Sequence, residues 1–227
     1  MSSRPELKLA WCSHKAAKHA VEHWHYSRCM PKSKLVKIGV WEDGVFIGAV
    51  IYGSGATPNL GKPYNLRQTE CSELVRVALK SHETPVSKIL SVSLKLVRKA
   101  NPGLKLIVSF ADVQQGHHGG IYQANGWVYN GQTAPATFYC IKGKITHPRS
   151  IGLAGKVQNL KGAKELDANA TAVRLPGKHR YLMPLNNEMR KQIEPLRKPY
   201  PKRVTSDTSD TPSIHEGKGG AAPTVAL

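Results

Sequence analysis

The eighteen residues FADVQQGHHGGIYQANGW, Phe110 to Trp127, follow the apolar run LKLIV and hold one acid, two adjacent histidines, a tyrosine and four glycines. Asp112 falls just past the expected strand, at its carboxyl end, where α/β sheets place ligands and catalytic groups. The plain alternative is that Asp112 caps a turn. His117 and His118 sit between Gly116 and Gly119. One of them, with His25 and a carboxylate, would make a two-histidine, one-carboxylate iron site, and otherwise they suit contacts to phosphate or base. His25 and Tyr26 form a nitrogen and oxygen pair suited to iron or manganese, and their plain alternative is a packed helix end.

Arg76 interrupts the apolar strand ELVRVAL, so its guanidinium either faces solvent or projects into a site, where its planar fork would hold a carboxylate or phosphate. Glu73, before it, reads as an outward strand charge. The segment SGATPNLGKPYNLRQT, Ser54 to Thr69, is too long for a simple connector and reads as a binding loop. Asn59, Lys62, Tyr64 and Arg67 within it combine the cations and aromatic ring that grip an extruded base and its backbone, with a solvated surface loop as the alternative. Lys142, Lys144, His147, Arg149, Lys156, Lys161 and Lys164 make a basic run, read as a phosphate-tracking surface or as an ordinary solvated face.

The elements that must position these residues alternate. Ser13 caps a helix whose stripe is Ala17, Ala20, Val21 and Trp24. Asp43-Gly44 supplies the positive φ angles of a tight hairpin between two strands. ELVRVAL and LKLIVSF are strands around a helix that Thr84-Pro85 starts and Asn101-Pro102-Gly103 stops. A short helix over IYQA ends at Asn125-Gly126, and WVY, TFYCIK and HRYLMPL are strands of the second half of the sheet. Residues 1–199 read as one domain with a Gly/Lys-rich insertion at about 142–178, and residues 200–227 lack the apolar content to order themselves.

Across 227 residues, 33 Lys and Arg stand against 15 Asp and Glu, a formal charge of +18 that favours a polyanionic partner, first of all nucleic acid. No stretch approaches the roughly 18 apolar residues of a membrane span, and the start lacks the apolar core of a signal peptide, so a soluble intracellular protein is expected. Cys12, Cys29, Cys71 and Cys140 lack any CxxC spacing and read as reduced, structural thiols.

The order of elements resembles the GNAT-type N-acetyltransferase fold, with IYQANGWVY similar to its tyrosine-bearing helix, and implies an α/β protein with a mixed, largely antiparallel central sheet and flanking helices. HYSRCMP, ATPNLGKPY, ELVRVAL and SFADVQQGHHGGIYQANGW together resemble the bacteriophage Mom proteins. That resemblance implies a phage-encoded enzyme in the host cytoplasm that converts adenine in double-stranded DNA to its N6-carbamoylmethyl form and shields it from restriction. It implies iron held by His25, Tyr26, Asp112 and Tyr122, with Arg76 contacting an unidentified acyl or amide donor. Tyr122 also matches the GNAT tyrosine that protonates the leaving thiolate of coenzyme A. The GNAT fold has a Gly-rich pyrophosphate loop after the ELVRVAL-like strand, but here that place reads KSHETPVSKIL, without glycine. An acetyl-coenzyme A-dependent N-acetyltransferase acting on a small amine or protein is the alternative, and a basic DNA-packaging module is the non-enzymatic one.

Overall fold

The computed structural model describes residues 4–202. The elements run β1 (Leu7–Trp11), α1 (His14–Trp24), β2 (Leu35–Glu42), β3 (Val45–Gly53), β4 (Cys71–Leu79), α2 (Val86–Ala100), β5 (Leu106–Ala111), α3 (Gly120–Gln123), β6 (Val128–Gln132), β7 (Ala136–Ile141), β8 (Lys144–Thr146), α4 (Pro148–Leu153), α5 (Leu160–Leu166), β9 (Thr171–Leu175), β10 (His179–Pro184) and α6 (Asn187–Ile193). A seven-stranded sheet has the order β1-β2-β3-β4-β5-β10-β6, and a three-stranded sheet the order β8-β7-β9. The first four strands of the larger sheet pair antiparallel, whereas β4 and β5 pair parallel over Cys71–Leu74 and Leu106–Ser109. The sheet is therefore mixed and largely antiparallel with helices against it, as expected. TFYCIK departs from its expectation: as β7 it belongs to the smaller sheet, because its antiparallel partners are the flanking segments β8 and β9.

The chain divides into two units, one of residues up to Phe110, Gly119–Asn130 and from Arg180 onward, the other of Ala111–His118 and Gly131–His179. In the first, the Ser13 hydroxyl accepts from the Ala16 N–H and starts α1, which buries Ala17, Ala20 and Val21 against Ala49, Ile51 and Ala78. Side chains alternate along β3, so Tyr52 faces the other way, where its hydroxyl meets Ser93 of α2 at 2.7 Å. Helices thus cover both faces. Asp43 and Gly44 take φ angles of 49° and 77°, the geometry that joins β2 to β3. Thr84 does not cap α2: Pro85 occupies that position, and the Thr84 N–H is given to the Glu42 carboxylate at 2.7 Å.

In the second unit the basic insertion is folded. Tyr139, Ile151, Ala163 and Ala170 form its core, with Ile141, Leu160 and Leu166 packed around them. The four cysteines are free thiols, and no helix among the described residues is long and apolar enough to cross a membrane. The Tyr200 hydroxyl donates to the Trp127 carbonyl at 2.6 Å, and the rest of the tail expected to lack order, 203–227, lies outside the described residues.

Candidate functional site

The first unit gathers its functional side chains where β4 and β5 part. Leu74 and Ser109 form the last pair of their parallel ladder. One residue further on, the register of β3 with β4 shifts: Tyr52 faces Leu74 but Ile51 faces Arg76, so Val75 is the extra residue of a β-bulge. The bulge changes which side chains share a face. Simple alternation would put Glu73 and Arg76 on opposite faces, but Glu73 pairs with Gly53 and Arg76 with Ile51, two residues on the α1 side of β3.

Arg76 spends its guanidinium on backbone. Its Nε and one terminal nitrogen donate to the Cys29 carbonyl at 3.4 and 3.3 Å, and the other donates to the Val75 carbonyl at 2.6 Å. It thereby ties the segment after α1 to the bulge. That segment carries His25 and Tyr26, whose rings lie 4.3 Å apart. The loop that starts at Ser54 reaches the same region, since a Cβ on Gly55 would come within 3.4 Å of a Glu73 carboxylate oxygen. Glu73 is half-buried, close enough to Tyr122 to act on it electrostatically, and is not the outward charge the sequence suggested.

Tyr122 stands at the centre. Gly119, with φ of 86°, starts α3, and Gly126, with φ of 66°, turns the chain so that the Trp127 N–H returns to the Tyr122 carbonyl at 3.1 Å. The ring packs 5.0 Å from those of Trp127 and Tyr181, and the hydroxyl meets Ser109 Oγ at 2.8 Å. Burial pushes the phenol up to about 12, against the Ser109 hydrogen bond, and Tyr26, Glu73 and Tyr181 add to the rise. Ser109 and Tyr181 were not singled out in the sequence: a lone serine in an apolar strand carries no signal until its partner is known.

Asp112 belongs to the second unit. Its carboxylate accepts from the Gln114 N–H at 3.2 Å, capping a turn of 3-10 helix, and pairs with Lys178 at 2.7 Å. The turn-capping alternative is therefore realised, together with an ion pair. His117 and His118 are half-buried, and His118 is near enough to His179 to lower its pKa alongside burial.

Of the four residues expected to bind iron, His25, Tyr26 and Tyr122 belong to the first unit and Asp112 to the second. His25 Nδ1 lies 2.8 Å from Ser27 Oγ and 3.1 Å from the Ser27 backbone nitrogen. The Tyr122 hydroxyl accepts a hydrogen bond from Ser109. Among the described residues, no three His, Cys, Asp or Glu side chains are grouped to hold a metal ion.

A coenzyme A pyrophosphate meets a different obstacle. The backbone N–H groups of Glu83 and Thr84, just before α2, both donate to the Glu42 carboxylate, at 3.0 and 2.7 Å. Despite the opposing effect of burial, hydrogen bonds from Thr84 and Glu83, with the charge of His82, hold this carboxyl below its ordinary value. These two amides, next to the start of α2, are thus taken by an acid of the chain itself.

Of the residues expected to contact DNA, Asn59, Lys62 and Arg67 are exposed on the Ser54–Thr69 loop, and Lys142, Lys144 and Arg149 on the second unit. Tyr64 is not available for stacking. It is 4% exposed and packs with Cys71, Leu106 and Val128, because the turn at Lys62–Tyr64 directs its ring into the core.

Residues 6–202 match the Mom protein family, and the chain belongs to that family. Among curated relatives it is similar to the methylcarbamoylase mom of Escherichia phage Mu, with 26% identity over 204 residues, covering 87% of this chain and 84% of that protein. A solved structure from Acinetobacter baylyi ADP1, provisionally classed as an acetyltransferase, covers 88% of this chain and all of its own at 13% identity and a TM-score of 0.44, a likeness too low to argue from.

Proposed function

We propose that the chain is a DNA-modifying transferase of GNAT-like fold that converts adenine in double-stranded phage DNA to N6-carbamoylmethyladenine and so protects it from host restriction. Membership of the Mom family and the name of the phage Mu relative support the class of reaction. The observation that carries the reading is the buried Tyr122 and Ser109 pair at the parting of β4 and β5, bordered by Tyr26, Glu73 and the segment that Arg76 secures. Hydroxyls at the mouth of a splayed sheet suit a flat base with an exocyclic amine, once that base has left the stack.

The reaction forms two bonds, C–N and the O–H of the group that takes the proton, and breaks two. The adenine N6 lone pair attacks the methylene carbon of a carbamoylmethyl donor, the donor's leaving group departs with the bonding pair, and one N–H proton is lost. An amine conjugated to the ring is a poor nucleophile, so holding it against the donor carbon is the main task of the protein. Tyr122 orients the amine and Arg76 is a positioning residue. Asp112 enters on its motif as the carboxylate that takes the proton. No step is routed through iron. The Glu42 carboxylate, which takes the Glu83 and Thr84 backbone N–H groups before α2, argues against coenzyme A as the donor.

DNA from cells expressing the chain, digested and weighed as nucleosides, should contain deoxyadenosine carrying one carbamoylmethyl group. Asp112→Ala should remove that species while the protein still folds and retains DNA. An unaltered adenine pool from well-expressed native protein would overturn the reading.

A further inference from the structure

The turn that joins α4 to α5 in the second unit shows apolar side chains to solvent. Ile151 is the residue of α4 that enters the core, and it is fully buried. Successive helical residues are about 100° apart, so Leu153 lies roughly 200° round from Ile151 and points outward, where it is 74% exposed. Arg149, four positions before Leu153, shares that outward face and is exposed. Val157, just past the turn, is 59% exposed.

The backbone holds these side chains in place. Gly155, with φ of 75°, closes α4 twice: its own N–H returns to the Gly152 carbonyl at 3.0 Å, and the Lys156 N–H returns to the Ile151 carbonyl at 3.1 Å. Asn159 starts α5 by accepting from the Gly162 N–H at 3.1 Å. Gly162 admits the Val157 backbone so closely that a Cβ there would strike the Val157 carbonyl. A leucine on an already ordered mount loses little further freedom when something grips it.

A single exposed leucine needs no explanation, but its surroundings choose a partner. Within residues 131–179, eight Lys and Arg stand against two Asp and Glu. Both acids are engaged within the unit: Asp167 accepts from the Lys142 and Asn169 backbone N–H groups, and Glu165 pairs with Lys156. The cores of protein interfaces are depleted in charged residues, whereas Leu153 shares its helix face with Arg149 and is followed by Lys156 and Lys161. Cations with an apolar tip among them suit duplex DNA, whose phosphates take the cations while the tip enters the minor groove and parts a base step.

We propose that the α4–α5 turn is a wedge for duplex DNA: Leu153 inserts between stacked base pairs from the minor groove, Val157 follows it into the groove, and Arg149 holds an adjoining phosphate. Leaving the stack is costly for a base, and least so at a step already weakened by a mismatch. This rests on the reading of duplex DNA as substrate and names a side chain that opens the stack.

The test uses the full chain and two end-labelled duplexes of the same mixed sequence, one fully paired and one with a single central mismatch. Native protein should bind the mismatched duplex roughly tenfold more tightly, because part of the unstacking cost is already met there. At saturation, energy transfer between the end labels should rise as the duplex kinks. Leu153→Ser should bind both duplexes equally, leave them straight and keep the native slope of log affinity against log salt, because the phosphate contacts remain. Leu153→Met, which keeps an apolar tip, should retain both the preference and the kink. Val157→Ser, outside both helices, is the second variant and should lower the preference in the same direction. A Leu153→Ser protein that kinks the duplex and prefers the mismatch as native protein does would overturn the proposal, as would equal binding of the two duplexes by native protein. A native dimer in sedimentation that Leu153→Ser splits would also overturn it, assigning this face to a second copy of the chain. Failure of the adenine reading is distinct, since it shows as an unmodified adenine pool in the nucleoside assay whichever duplex is preferred.

Discussion

Glu70 shows how a single carboxylate holds the long loop in place. It closes the turn at Gln68–Glu70, accepting from the Arg67 N–H at 2.9 Å, and pairs with Lys105 at 2.8 Å just before β5. Bonds from Lys105 first, then Arg67, hold its carboxyl at about 2, against an ordinary 4.5. A depressed folded-state value contributes stability above the ordinary carboxylate range, and that contribution is lost as pH falls through 4.5 toward 2. Glu70→Gln should therefore lower the melting temperature at neutral pH and flatten its decline between those two pH values. An acid limb as steep as that of native protein would refute the assignment. At this scale the sequence was readable where a residue acts alone. Ser13 and the Asp43-Gly44 turn declare themselves by local geometry, but Ser109 acts through Tyr122 and Leu74, thirteen and thirty-five positions away, and no local pattern marks it.

At the scale of elements, α3 depends on the backbone that starts it. Gly119 takes a φ of 86°, and a Cβ there would press into the Tyr181 ring. The Tyr122 N–H closes on the Gly119 carbonyl at 2.9 Å, so any shift at Gly119 passes directly to the tyrosine. Gly119→Ala combines a strained backbone with overpacking and should cost about 2–4 kcal/mol. Chemical denaturation would measure it, and a loss under roughly 0.5 kcal/mol, the scale of ordinary surface changes, would show that α3 tolerates the side chain. Strong periodicity made α1, β3 and α2 legible. β1 was missed because LKLAW is a short edge strand whose outer positions are exposed, which leaves only a weak alternation to read. The faces of β4 were misread for another reason: the bulge at Val75 breaks the period of two on which a strand's inward and outward sides are judged.

For the whole molecule, the excess of 18 positive charges is legible from composition, but where it can meet a polyanion is not. The insertion looked like a run of lysines and is a folded unit with its own core, so its cations are held at fixed sites. Lys144, Arg149 and Lys161 are exposed there, whereas Lys156 is partly neutralised by Glu165 at 3.0 Å. If these exposed cations track phosphates, each lost contact removes a released counterion, and the slope of log affinity against log salt falls by roughly 0.9 per phosphate. Changing Lys144, Arg149 and Lys161 together to Gln should weaken binding to duplex DNA about equally for all sequences and lower that slope by roughly 2–3. A triple variant with the native salt slope would move the DNA-binding surface elsewhere, most directly to the exposed Lys62 and Arg67 of the long loop, where the same substitution and salt titration would locate it.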